Sequence, residues 1–173
     1  MTDRLESLAG SVPATTQKSP PPLERWHPPL SGDIDIRIAA DGSWYHEGGR
    51  IRRDTLVALF ASILRREDDG DYYLVTPVEK WRIQVELHPL VVTEINRRDE
   101  TLYARLNTGA EVAINADHAL FLEPALGDVA AIHLPHGLSA VLTRAAWYRL
   151  VESAEEQDGQ LQVRSAGVCF PLQ

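Results

Sequence analysis

Isoleucines at 34, 36 and 38 alternate with Asp33, Asp35 and Arg37, which is the period-two pattern of a strand with one buried face. Asp41-Gly42 then predicts a turn, with Trp44 and Tyr45 on a returning strand. From Asp54 the period changes. Leu56, Leu59, Phe60, Ile63 and Leu64 fall at helical spacing, and "EDDGD" ends the helix. "YYLVTP", "KWRIQVEL", "LVVTEI", "TLYARLN" and "AEVAI" read as further strands, with turns at Asp99-Glu100 and Thr108-Gly109.

The last third repeats the first in outline. "IHLPHG" leads into "LTRAAWYRLVESAEEQDGQLQVRSAG" much as the Ile36 strand leads into "IRRDTLVALFASILRREDDGDYYLVTPV". Ile51, Arg53, Leu56, Leu59 and Phe60 align with Leu142, Arg144, Trp147, Leu150 and Val151. After a gap, Gly70, Tyr72, Leu74 and Thr76 align with Gly159, Leu161, Val163 and Ser165. The expected fold is α+β: two similar sheet-plus-helix units from an internal duplication, with a Pro-rich flexible tail over 1–30, an N-terminal unit over 31–93 and a C-terminal unit over 94–173.

Composition narrows the function. With 173 residues, 44% of them hydrophobic, the chain can bury a real core. A net charge of −8 argues against a broad phosphate-binding face, so long nucleic acid is not an expected partner. The start has no basic-then-apolar leader, and the least charged run, Val129 to Thr143, is broken by two His, a Pro and a Gly and is too short for a membrane span. The single Cys169 fits a reducing, cytoplasmic compartment, and its apolar context predicts a buried thiol.

The blocks "GDIDIRIAADGSWYHEG", "IRRDTLVALFASILRREDDGDYYLVTPVEK" and "SAGVCFPL" resemble the bacterial family catalogued as domain of unknown function 1285, from about Gly32 to the C-terminus. The resemblance implies a duplicated α+β fold whose C-terminal half is similar to a pleckstrin-homology fold. It also implies a groove between the halves for a nucleotide-like ligand and a part in signal transduction. No activity comes with it. At "QVELHPL" the chain departs from the pattern, carrying Leu87 where the resemblance leads to an acidic residue.

The residues themselves point to anion binding without catalysis. Arg52 and Arg53 stand at a helix start, where the dipole disfavours cations unless something negative is near. Gly48 and Gly49 precede them, and Arg144 opens the second helix. One reading pairs Arg53 and Arg144 with Asp33, Asp35 or Glu79; the other gives them a small anionic ligand. Pro77 removes a ladder donor, leaving Thr76 and its neighbours either to bind something or to bend the chain. Trp44, Tyr45, Trp81 and Tyr73 are candidates to stack on a ring, or else to pack in the core or on a sheet face. The ligand-binding set is therefore Arg53, Arg144, Arg52, Trp44, Tyr45, Thr76, Glu79 and Trp81.

His133 and His136, with His118 and Asp117 as the nearby candidates, complete no metal-ligand spacing, and the chain carries no nucleophile elbow, P-loop or dinucleotide fingerprint. No cofactor, metal or catalytic residue is expected. The function expected is a non-enzymatic ligand-binding module, with a protein-protein interaction module docking on a signalling partner as the alternative.

Overall fold

The computed structural model describes residues 2–12 and 20–172, with side chains from Leu5 onward. The chain divides into two units, Met1–Leu87 and His88–Gln173. The division falls six residues before the expected 93/94 boundary. The reason is that β7 (Leu90–Arg98) is one continuous strand belonging wholly to the second unit.

In the first unit, β1 (Gly32–Ile38) turns back into β2 (Trp44–His46) and β3 (Gly49–Arg50). The alternation is realised as read: Ile34, Ile36 and Ile38 are buried. Gly42, at φ 89°, makes the turn, donating to the Ala39 carbonyl at 2.9 Å. Helix α2 (Asp54–Ser62) follows, and then β4 (Leu64–Arg66), β5 (Tyr72–Val75) and β6 (Lys80–Val85). These strands form one sheet in the order β3-β2-β1-β6-β5-β4, antiparallel except where β1 lies parallel to β6.

Six successive residues of α2, Leu56 to Ala61, are apolar. A helix that is apolar on every side needs cover on more than one side. Phe60 is fully buried and stacks on Trp44 of β2, with ring centroids 6.4 Å apart. Additional cover comes from the N-terminus: α1 (Thr2–Ser11) packs on α2, and Leu5, Leu8 and Val12 are buried. The described parts of residues 1–30 thus differ from the flexible tail expected there. Leu23 is also buried, in a short 3-10 turn whose Leu23 and Trp26 carbonyls accept hydrogen bonds from Arg65 at 2.8 and 2.9 Å.

The second unit contains β7, β8 (Thr101–Leu106), β9 (Glu111–Ala113), β10 (Leu120–Glu123), β11 (Val129–His133) and β12 (Ser139–Leu142). Their order, β10-β11-β12-β7-β8-β9, is that of the first sheet read from the other end, and β7 lies parallel to β12 just as β1 does to β6. The two units are similar in this sense, and the fold is α+β. Helix α3 (Arg144–Glu152) enters after the sixth strand, whereas α2 enters after the third. A three-stranded sheet, β13 (Glu155–Gln157), β14 (Gln160–Ser165) and β15 (Val168–Pro171), completes the unit.

Ser165 ties that small sheet to the larger one. Its fully buried hydroxyl accepts from the Leu102 N–H at 2.8 Å and donates to the Ile114 carbonyl at 2.6 Å. Cys169 is exposed on β15, where Phe170 takes the inward position. The expectation of a buried thiol fails because neighbours on a strand face opposite ways.

If α1 covers α2, removing a buried side chain from it must weaken the fold. Leu8→Ala is expected to lose about 2–3 kcal/mol in urea unfolding. A loss below about 0.5 kcal/mol would mean that α1 is not packed on α2.

Candidate functional site

Arg53 is the N-cap of α2, whereas the N-cap of α3 is Thr143, whose Oγ1 accepts from the Ala146 N–H at 3.2 Å. The expected pairing of Arg53 with Arg144 is not realised: α2 follows the third strand of its sheet and α3 the sixth, so the two helices do not hold equivalent places, and Arg144 is the first residue of its helix where Arg53 is a cap. Asp54, at the first position of α2, supplies the negative charge that the dipole favours.

Arg52 and Arg53 are exposed, and neither makes an ion pair among the described residues. Asp33, an expected partner, is held by Arg82 of β6 at 2.6 Å. Among the described residues, the expected pairing of Arg53 with a carboxylate is not realised. Trp44 is 1% exposed and cannot stack on a ligand, since β2 turns it inward against Phe60. Thr76 is fully buried, and its Oγ1 accepts from the N–H groups of Val78 and Glu79, so it closes the Pro77 turn from inside. Of the two readings of that turn, the bend is the one realised. Glu79 contributes its backbone to the same turn, while its Oε2 is buried with no donor among the described residues. Tyr45 is half-buried beneath the Arg37 guanidinium, 4.5 Å from the ring centroid, and half-buried Trp81 lies against Gly32.

The polar groups that the first unit does gather were not singled out by spacing. Arg82 bridges Asp33 and, at 3.4 Å, Asp71, beside a depression of about 490 Å³ that also includes Gly70, Tyr72 and Gln84. The Asp33 hydrogen bond holds the Arg82 guanidinium in its charged form beyond the ordinary arginine range. Glu67 lies between Arg65 at 2.5 Å and Lys80 at 2.8 Å. Burial alone would raise its pKa, but the hydrogen bonds from Lys80 and Arg65 outweigh that and lower it. Each of these charges already has a partner, so the cluster is an internal clasp.

The second unit offers a different arrangement. Gly127 and Asp128, at φ 73° and 64°, turn the chain out of a 3-10 turn (Pro124–Leu126) into β11. The turn faces the start of α3 across a cleft of about 420 Å³, lined by Asp128, Val129, Leu142, Thr143, Arg144 and Trp147. Arg144 and Asp128 are both exposed, and neither makes an ion pair among the described residues of this unit. Trp147 is half-buried on the wall, one position along from the fully buried Ala146, and the first N–H groups of α3 lack intrahelical acceptors. Of the expected site residues, Arg144 alone lies in this cleft. The alignment of Trp147 with Leu56 gave it no place in a site, and Asp128 had no signal beyond the Gly-Asp dipeptide.

His133 stacks on Phe121 at 4.1 Å, and the buried His88 places Nδ1 2.7 Å from the Ser139 Oγ, tying the start of β7 to β12. Among the described residues no cluster of His, Cys, Asp or Glu is placed to hold a metal. No described helix is long and apolar enough to cross a membrane.

Comparison with known families matches residues 21–87 to the N-terminal domain of DUF1285, a domain of unknown function, and residues 89–172 to the C-terminal domain. A crystal structure of a DUF1285 family protein from Silicibacter pomeroyi is similar, with a TM-score of 0.84 at 36% identity over 96% of this chain and 93% of that one. A second, from Shewanella baltica, gives 0.59 at 32% identity over 68% of this chain and 90% of that one. No curated protein matches.

One titration checks the geometry of the first unit. The Tyr73 hydroxyl donates to Asp69 Oδ2 at 2.5 Å, and this bond, with burial and the Asp69 charge, pushes its pKa up to about 12. A raised phenol pKa means that the stabilisation is complete below pH 10 and is lost as pH climbs towards 12. In an ultraviolet titration Tyr73 should ionise last of the five tyrosines, and Asp69→Asn should bring it back towards 10. A Tyr73 that ionises with the exposed tyrosines would contradict the contact.

Proposed function

The chain belongs to the DUF1285 family, and from that premise we propose that it is a non-enzymatic ligand-binding module whose second unit takes a small anionic, nucleotide-like molecule. The observation that carries this reading is the cleft at the start of α3. An arginine with no acidic partner among the described residues of its unit stands there beside an indole, against the apolar walls of Val129 and Leu142. Such a cleft suits a ligand with one charged end and one flat apolar body. The guanidinium would hold a phosphate or carboxylate by paired hydrogen bonds, and the indole face would stack on a ring. A cleft of about 420 Å³ is within the ordinary size range of small-molecule sites. A place in signal transduction follows from the same reading, since a module that binds without transforming its ligand acts by reporting it.

The alternative, a protein-protein interaction module, has one observation in its favour. Leu30 and Val78 are 48% and 72% exposed, and the backbone of Ser31 donates to the Lys80 carbonyl at 2.7 Å, which brings their two segments together in the first unit.

Thermal-shift measurements with 5′-mononucleotides separate the two. The ligand reading expects a rise in Tm that grows with nucleotide concentration and disappears in Arg144→Ala, while the Tm of the variant alone stays within a degree or two of wild type, roughly the effect of a surface change. If no mononucleotide raises the Tm of the wild-type chain, the interaction reading takes its place.

A further inference from the structure

Two segments before β1 are held to the first unit in different ways. Residues 23–31 are fastened by polar contacts. Arg65 donates to the Leu23 and Trp26 carbonyls, and Glu67 braces both Arg65 and Lys80. The Lys80 N–H donates to Ser31 Oγ at 3.0 Å, and its carbonyl accepts from the Ser31 N–H at 2.7 Å. Helix α1 lies upstream of that anchor and lacks such a hold: among the described residues, no hydrogen bond or ion pair joins Leu5–Val12 to the rest of the chain. What holds it is the burial of Leu5, Leu8 and Val12. Three apolar side chains thus offset the ordering of a ten-residue helix that is too short to be stable alone. Beneath it is α2, apolar from Leu56 to Ala61, where every residue but Phe60 is still only half-buried with α1 in place. The matched N-terminal domain begins at residue 21, so it contains α2 but not its cover.

We propose that α1 is a displaceable cover and that the α2 face beneath it is a docking site for an amphipathic helix of a protein partner. The chemistry of the occupant is set by α1 itself, which seats apolar side chains at i, i+3 and i+7. That is the spacing by which a helix lays one face into an apolar groove. A partner helix with the same spacing and an extra turn buries more of the half-buried α2 residues than α1 does, and so displaces it. The polar anchor at residues 23–31 stays in place, so α1 leaves without unfolding the sheet. This site is independent of the cleft at α3.

Both parts are tested on the full chain. Hydrogen exchange followed residue by residue should show α1 amides exchanging about a hundredfold or more faster than those of β1 and β6, as expected of a segment that opens by itself. The seat is probed with a labelled synthetic peptide of residues 1–12, followed by fluorescence anisotropy. Leu8→Ala, whose own α1 is held less tightly, should bind the peptide about tenfold or more tighter than wild type, because its seat is open more of the time. The same peptide with Leu5→Asp and Leu8→Asp should bind neither chain. The proposal is overturned if α1 amides exchange only as slowly as those of β1 and β6, a measurement that needs no variant. It is equally overturned if the peptide binds both chains alike, or if it does not bind Leu8→Ala at about 1 mM, near the effective concentration of a tethered segment.

Discussion

Each unit depends on a parallel pairing in the middle of its sheet. β1 beside β6, and β7 beside β12, join two antiparallel three-stranded meanders whose own hydrogen bonds are local. Parallel neighbours cannot be connected by a tight turn, so everything between them in sequence has to leave the pairing line and come back. In the first unit the return includes α2, and in the second it runs through β8 to β11. The pairing also places chemistry. In the first sheet it sets Asp33 opposite Arg82, the 2.6 Å bridge at the centre of the polar clasp. In the second it leaves Leu142 at the end of a central strand, and α3 starts two residues later over the cleft.

Buried polar groups secure what the pairing begins. Thr76 follows β5 and Ser165 ends β14, and each is fully buried with its hydroxyl accepting from backbone N–H groups. A buried N–H without an acceptor costs about 1–3 kcal/mol, so these hydroxyls fix where each strand stops. Both units have bridged and unbridged cations: Arg65, Lys80 and Arg82 in the first and Arg98 and Arg149 in the second reach carboxylates, while Arg52, Arg53 and Arg144 are exposed without an ion pair among the described residues. The functional reading rests on the second unit because Arg144 lines a cleft beside Trp147.

The sequence was most legible where one physical pattern dominated. Alternating isoleucines gave β1, and the Asp41-Gly42 turn gave its partner, because period two with a turn has few other solutions. Thr76 and Ser165 share burial and an accepting hydroxyl but not a place in the repeated sheets, since β5 answers to β11 and β14 belongs to the three-stranded sheet. The helices were harder to align. Leu56 to Ala61 is apolar without a break, so almost any helix with one apolar face aligns with it, and the pairing of Arg53 with Arg144 joins two helices that follow different strands of their sheets. The N-terminal helix is hidden for a different reason: prolines at 20–22 and 28–29 predict an extended tail, while Leu5, Leu8 and Val12 carry the helical spacing of α1. Trp44 looked like a stacking platform because alternation does not say which face is inside until the helix that covers it is known.

The central claim is that the ligand seat is the cleft between the Gly127-Asp128 turn and the start of α3. Amide and indole NMR shifts recorded while GMP is added to the full chain test it most directly. The account predicts that the largest changes fall on residues 127–130 and 143–147, with the Trp147 indole N–H moving and that of the buried Trp44 staying in place. Changes centred instead on Gly48 to Arg53, or no changes at millimolar GMP, would contradict it.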